Sequence, residues 1–237
     1  MSSPECFANP PITSQSSGAG EVDQLAGLKT YITGPPHSTR AILLVSDVFG
    51  FEAPKLRKIA DKVAAAGFLV VVPDFLYGDP YDPSNTHIEA WKPAHPPDKG
   101  YEDAKQVIAA LKDRGVSAVG AAGFCWGGIV VTKLASFADL KAAVVLHPGR
   151  LTVDDINAVK VPISFLGAEI DQSTPPEQLK QFGEILTSKK EVDSFVKIYP
   201  GVSHGWTVRY NDEDESAVKN AEEAHSDMLE WLIKHVK

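Results

Sequence analysis

A cysteine, an aspartate and a histidine in this 237-residue chain are flanked and spaced as a nucleophile, an acid and a base would be. Cys125 lies in Gly123-Phe124-Cys125-Trp126-Gly127-Gly128, after an apolar strand-like run and before a helix-like segment. A sharp strand-to-helix turn strains its central residue and brings neighbouring backbone so close that side chains at the flanking positions would clash, hence the glycines. The same turn sets the thiol at the first turn of a helix, whose positive potential lowers a thiol pKa. His204, in Tyr199-Pro200-Gly201-Val202-Ser203-His204-Gly205, follows the last strand-like run, which suits a base reaching back over a sheet. Asp171, in Phe165-Leu166-Gly167-Ala168-Glu169-Ile170-Asp171, follows the preceding run and is placed to fix the imidazole tautomer and stabilise imidazolium. The chemistry this set supports is acyl transfer through a thioester.

Each role has a competitor. Glu169 stands two residues before Asp171, and His147, in Leu146-His147-Pro148-Gly149, also follows a strand-like run, where it reads as pocket lining. Gly201-Val202-Ser203-His204-Gly205 matches the serine form of the elbow, but it lacks an immediate helix, and the histidines after it, His225 and His235, fall in the terminal helix-like segment. Acyl transfer also needs donors for the developing oxyanion, and the backbone N–H groups of Val48 and Trp126 are the candidates. Phe49, Trp126 and Trp206 would give an aromatic lining. There is no motif of metal-ligand spacing and no phosphate-cradling glycine-rich loop, so neither metal nor cofactor is expected.

The elements that must hold these residues alternate. Strand-like runs are Ala41 to Ser46, Phe68 to Val72, Ser117 to Ala122, Ala142 to Leu146, Ile163 to Leu166 and Phe195 to Ile198; helix-like segments are Pro54 to Ala66, Glu102 to Asp113, Gly128 to Phe137, Pro176 to Ser188 and Glu215 to Val236. This pattern predicts an α/β fold, a mainly parallel sheet with helices on both faces and ligands at the carboxyl ends of the strands. Asp47, Cys125, Asp171 and His204 all fall at such ends. The proline-rich stretch from Asp74 to Lys99, with Tyr77, Tyr81, Trp91 and His95, reads as an irregular loop that shapes the mouth of the site. Residues 28–237 are expected to form one domain behind an N-terminal arm, 1–27, which is Ser/Gly-rich before Gly20 and is given no function. Cys6 lies in that arm, and a disulfide to Cys125 is not expected, because it would remove the thiol from the place best prepared to use it.

The net charge of −8 is spread without a Lys/Arg block, which argues against nucleic acid or an anionic membrane as partner and leaves small molecules. No apolar run reaches transmembrane length, and the first thirty residues lack a basic region followed by an apolar one, so a soluble cytoplasmic protein, monomer or homodimer, is expected.

Ser46-Asp47-Val48-Phe49-Gly50, Val72-Pro73-Asp74-Phe75, the Gly-Phe-Cys-Trp-Gly-Gly elbow, Ala168-Glu169-Ile170-Asp171 and Ser203-His204-Gly205 together resemble the dienelactone hydrolase, or carboxymethylenebutenolidase, family of the α/β-hydrolase superfamily, from Ala41 to the C-terminus. The resemblance implies a Cys125-Asp171-His204 triad that opens lactones and some esters through an acyl-thiol intermediate. It also implies that Asp47, where bacterial members carry a glutamate one methylene longer, contacts and helps activate the resting thiol. Arg209 resembles an arginine that holds the substrate carboxylate in those members, one residue further from the histidine here. Two other functions stay open: hydrolysis of a glycan such as β-glucan by a pair of carboxylates, although Asn211-Asp212-Glu213-Asp214-Glu215 reads as a solvated helix start, and ligand binding without catalysis on a hydrolase scaffold.

Overall fold

The computed structural model describes residues 4–11, 18–84, 86–137 and 139–237. Eight strands form a single sheet: β1 (Glu21–Leu25), β2 (Leu28–Thr33), β3 (Arg40–Val45), β4 (Leu69–Pro73), β5 (Ala118–Phe124), β6 (Leu140–Leu146), β7 (Ile163–Ile170) and β8 (Ser194–Ser203). Their order is β1-β2-β4-β3-β5-β6-β7-β8. From β4 to β8 every neighbouring pair is parallel, whereas β1 pairs antiparallel with β2 and β2 antiparallel with β4. Seven helices complete the order: α1 (Pro54–Ala64), α2 (Ile88–Ala94), α3 (Pro97–Asp113), α4 (Trp126–Leu134), α5 (Val153–Asn157), α6 (Pro176–Ser188) and α7 (Glu215–His235). Among the described residues no helix is long and apolar enough to cross a membrane.

Period-2 alternation along the central strands divides the core. In β3, Ala41, Leu43 and Val45 pack with Val107 and Ile108 of α3, Val130 and Leu134 of α4 and Phe182 of α6. Ile42 and Leu44 point the other way, into the layer of Leu56 and Ile59 of α1 and Met228 and Leu232 of α7. Both faces of the parallel sheet are therefore covered, which is why its strands read as continuous apolar runs.

Three parts of the fold differ from the sequence expectation. The hairpin β1–β2 was not expected, because four of the five β1 residues face solvent and the strand carries Glu21, Asp23 and Gln24 instead of an apolar run. It also brings residues 21–25, expected to belong to the arm, into the sheet. The stretch from Asp74 to Lys99 is not wholly irregular: it contains α2 and the start of α3. Pro97 occupies the first turn of α3, where the missing N–H costs nothing, and the indole of Trp91 in α2 is buried with Nε1 donating to Asp79 O at 2.9 Å. Helix α5 is a short addition fixed by Thr152 and Asp155, each capping the other's backbone N–H.

The turn from β5 into α4 depends on backbone proximity. A Cβ on Gly127 would stand 2.2 Å from Val45 O and 2.5 Å from Ser46 O, and one on Gly123 would stand 2.1 Å from Gly127 O. These are backbone atoms of the end of β3, the residue after it and α4, so they cannot swing aside as a side chain would. Gly127→Ala is expected to cost about 3 kcal/mol or more, read as a fall in melting temperature of roughly 10 °C for a chain of this size. An unchanged melting temperature would show that the turn does not rest on this contact.

Candidate active site

Cys125 joins β5 to α4 with φ 53° and ψ −109°, a conformation that an L-residue holds only when its surroundings impose it. Three hydrogen bonds impose it: Cys125 N–H donates to Leu146 O at 3.1 Å, and its carbonyl accepts from Gly128 N at 3.0 Å and Gly149 N at 2.9 Å. Trp126 is the first residue of α4, so its N–H has no partner within the helix and is available to an oxyanion. Val48 lies just past the end of β3, where its carbonyl accepts from Tyr81 N at 2.8 Å.

Asp171 follows β7 directly, and His204 follows β8 directly. His204 N–H donates to Ile170 O at 3.2 Å, which brings the two residues together. Asp171 Oδ1 accepts from Ser173 N at 2.8 Å, and Oδ2 lies 2.7 Å from His204 Nδ1, with both side chains 1% exposed. The carboxylate fixes the proton on Nδ1 and turns Nε2 inward. Burial lowers the His204 pKa, but the Asp171 hydrogen bond and the neighbouring Cys6 thiol outweigh it and raise it to about 9. Glu169, the competing acid, is committed elsewhere: its Oε2 accepts from Gly201 N at 2.7 Å.

The residue that sequence reasoning missed is Cys6. Residues Pro4–Phe7 form one 3-10 turn that enters the site, with Cys6 fully buried and its Sγ 3.4 Å from Ser173 Oγ. The Sγ atoms of Cys6 and Cys125 and a ring nitrogen of His204 all lie within 4.8 Å of one another. Neither cysteine is in a disulfide. Phe7 sits edge-on to Tyr81 and Trp91, with centroids 4.7 and 5.8 Å away. Residues 4–11 of the arm thus have a definite place against the site, and Cys125 is 0% exposed.

The two thiols differ. The hydrogen bond from Cys125 holds Cys6 well below the ordinary thiol value, helped by His204 and Ser173 and opposed by burial. Burial pushes Cys125 well above that value, the charge of Cys6 adds to this, and Arg209 opposes it.

Arg209 and Asp47 are brought to the site as a pair. Arg209 Nε donates to Asp47 Oδ2 at 2.8 Å, and the side chains are 3% and 5% exposed. Asp47 Oδ1 accepts from Phe49 N at 2.9 Å. Among the described residues, the hydrogen bonds of Asp47 therefore go to Phe49 and Arg209 and not to the thiol. Arg209 Nη1 donates to Glu5 O and Ala8 O at 3.3 and 3.0 Å, so this guanidinium holds the arm, while its buried Nη2 has no hydrogen-bond partner among the described residues. Its Cζ lies 4.8 Å from the centroid of the Phe49 ring. Phe49 and Trp206 are each 8% exposed, and the indole of Trp126 is packed inside with Nε1 donating to His95 O at 2.9 Å. A pocket of about 250 Å³ beside the arm is lined by Asn9, His204, Trp206 and Arg209; a second, of about 520 Å³, lies between Phe49, Asp74 and Tyr77, and neither reaches Cys125.

An α/β-hydrolase is what this sheet order and strained strand-to-helix turn define. Residues 28–236 match the dienelactone hydrolase family model. A carboxymethylenebutenolidase homolog from Xenopus tropicalis is 34% identical over 224 residues, covering 92% of this chain and 91% of that protein. An endo-1,3;1,4-beta-D-glucanase from Zea mays is 47% identical over 194 residues, covering 79% of this chain and 63% of that protein, so the chain spans less than two thirds of this relative. In the solved esterase from Pyrococcus furiosus the fold is shared at a TM-score of 0.68, with 16% identity and coverage of 96% and 99%. The chain belongs to the dienelactone hydrolase family.

The loop that carries His204 is held by two other histidines. His225 Nε2, on α7, donates to Thr207 O at 2.8 Å, and His147 Nε2 lies 2.7 Å from Thr207 Oγ1. His147 thus supports the loop; its ring centroid is 5.2 Å from that of His204. Burial keeps both neutral, lowering His147 well below its ordinary value and His225 to about 4. An unfolded chain takes up a proton on His225 near its ordinary pKa of 6.5, and the folded chain does so only near 4. Stability is therefore expected to fall as pH drops from 6.5 to 4, by about 3 kcal/mol from this residue. Denaturant unfolding at pH 7 and pH 5 checks it; His225→Gln should flatten the profile, and an equally steep profile in that variant would assign the loss elsewhere.

Proposed function

We propose that this protein hydrolyses lactones or small activated carboxylic esters through an acyl-thioester on Cys125, with His204 as general base and acid and Asp171 as the group that orients it. The observation that carries the reading is the strained backbone of Cys125, φ 53° on a strand-to-helix turn, with the buried His204–Asp171 pair beside it. Cys6, although near the same histidine, lies on a 3-10 turn of the arm and has no helix N-terminus behind it.

Substrate enters when the arm lifts away. Cys125 Sγ then attacks the carbonyl carbon, its proton passes to His204 Nε2, and the oxyanion is held by the N–H groups of Trp126 and Val48. His204 returns the proton to the departing alkoxide oxygen. Water, deprotonated by the same Nε2, attacks the thioester and releases the acid with Cys125 regenerated. Asp171 keeps its carboxylate ionised throughout and stabilises the imidazolium. Because Arg209 is paired with Asp47, the substrate class is uncharged esters and lactones in preference to ones with a second carboxylate. No cofactor enters this cycle.

The maize relative supports a second reading, cleavage of a mixed-linkage β-glucan. Glycan cleavage of the common kind needs two carboxyl groups free to face the sugar, and Asp171 is engaged with His204 and Ser173. Release of reducing ends from purified β-glucan, surviving Cys125→Ala, would establish that reading against ours.

With p-nitrophenyl acetate, Cys125→Ala is expected to lower kcat at least ~1,000-fold without unfolding the protein. Brief incubation of the wild type should add one acetyl mass, mapping to Cys125. An adduct on Cys6, or full turnover in Cys125→Ala, would overturn the assignment.

A further inference from the structure

We propose that Cys6, Cys125 and His204 form a binding site for a soft divalent cation, zinc above all, and that the bound ion fastens the N-terminal arm over the site. The two Sγ atoms and a ring nitrogen of His204 already lie within 4.8 Å of one another. With Zn–S near 2.3 Å and Zn–N near 2.0–2.1 Å, a tetrahedral ion needs its ligand atoms about 3.5–3.8 Å apart. The three groups therefore have to close by no more than about 1.3 Å. All three are buried.

A second observation concerns the histidine. Nε2 of His204 makes no hydrogen bond, although it is buried and its side chain is 1% exposed. Its other nitrogen is held at 2.7 Å by the Asp171 carboxylate. That is the carboxylate–histidine arrangement that orients an imidazole toward a metal and raises its basicity. A disulfide between the thiols would leave Nε2 still without a partner.

The donor set chooses the ion. Two sulfurs and one imidazole suit zinc, and they exclude magnesium and calcium, which take oxygen ligands. Charge also closes: bound as thiolates, the two cysteines neutralise one dication in a buried place, and the fourth position is open to water, with Ser173 Oγ standing 3.4 Å from Cys6 Sγ. Because the same Sγ and Nε2 would perform hydrolysis, zinc and turnover exclude each other; this consequence, unlike the binding, rests on the function proposed above.

The test uses the full chain, freed of metal and kept reduced with a phosphine that leaves the thiols unbound. Titration with Co²⁺ should give thiolate-to-cobalt charge-transfer absorption and tetrahedral d–d bands that saturate at one ion per chain and vanish when Zn²⁺ displaces it. Cys6→Ser should weaken Co²⁺ at least ~100-fold, and Asp171→Asn should weaken it ~10–100-fold. Circular dichroism confirms that each variant is folded, and deletion of residues 1–11 provides a second way to remove the Cys6 ligand. Absence of a charge-transfer band in the wild type, equal binding by Cys6→Ser and the arm deletion, or a loss of two mass units marking a disulfide in place of the metal complex would overturn the proposal. A saturating band with unchanged turnover of p-nitrophenyl acetate would instead refute the hydrolytic role of Cys125 and leave the cation site standing.

Discussion

The arrangement around the site depends on the bond between Arg209 and Asp47. A guanidinium at 3% exposure requires a partner charge, and a carboxylate at 5% exposure requires donors, so each residue fixes the other. Asp47 lies just past the end of the first parallel strand of the chain, Arg209 belongs to the loop that carries His204, and Nη1 of the guanidinium reaches the carbonyls of Glu5 and Ala8. Three segments distant in sequence thereby share one anchor. Losing either charge would leave the other buried and alone, which is far more costly than the pair itself is stabilising.

What the amino-acid order discloses follows from the range of the forces involved. Cys125, Asp171 and His204 were legible because each position is set locally: a glycine-bounded turn for the first, and the carboxyl end of an apolar run for the other two. The parallel strands were legible for the same reason, being buried on both faces. β1 was not, since a strand with one side in solvent and polar residues along it owes its existence to the edge it pairs with. Nor could Arg209 be read as a structural residue, because its partner is 162 positions away in the chain. The same holds for Cys6, which is drawn into the site by Phe7 docking on Tyr81 and Trp91 and by hydrogen bonds to Glu5, contacts that no local pattern announces.

Two thiols beside one histidine divide the electrostatics in an unexpected way. A single nucleophilic cysteine would itself carry the charge that the imidazole stabilises. Here the arm thiol is shifted toward its charged form, and Cys125, deeper and drier, toward its neutral one.

The arm is secured at both ends. Downstream of Cys6, the chain is fixed again at Gly20, whose N–H donates to Tyr31 Oη at 2.7 Å, and that hydroxyl in turn donates to Asp61 Oδ1 at 2.6 Å. Because Cys6 and the His204–Asp171 pair belong to one chain, the contact between them is the same at any protein concentration.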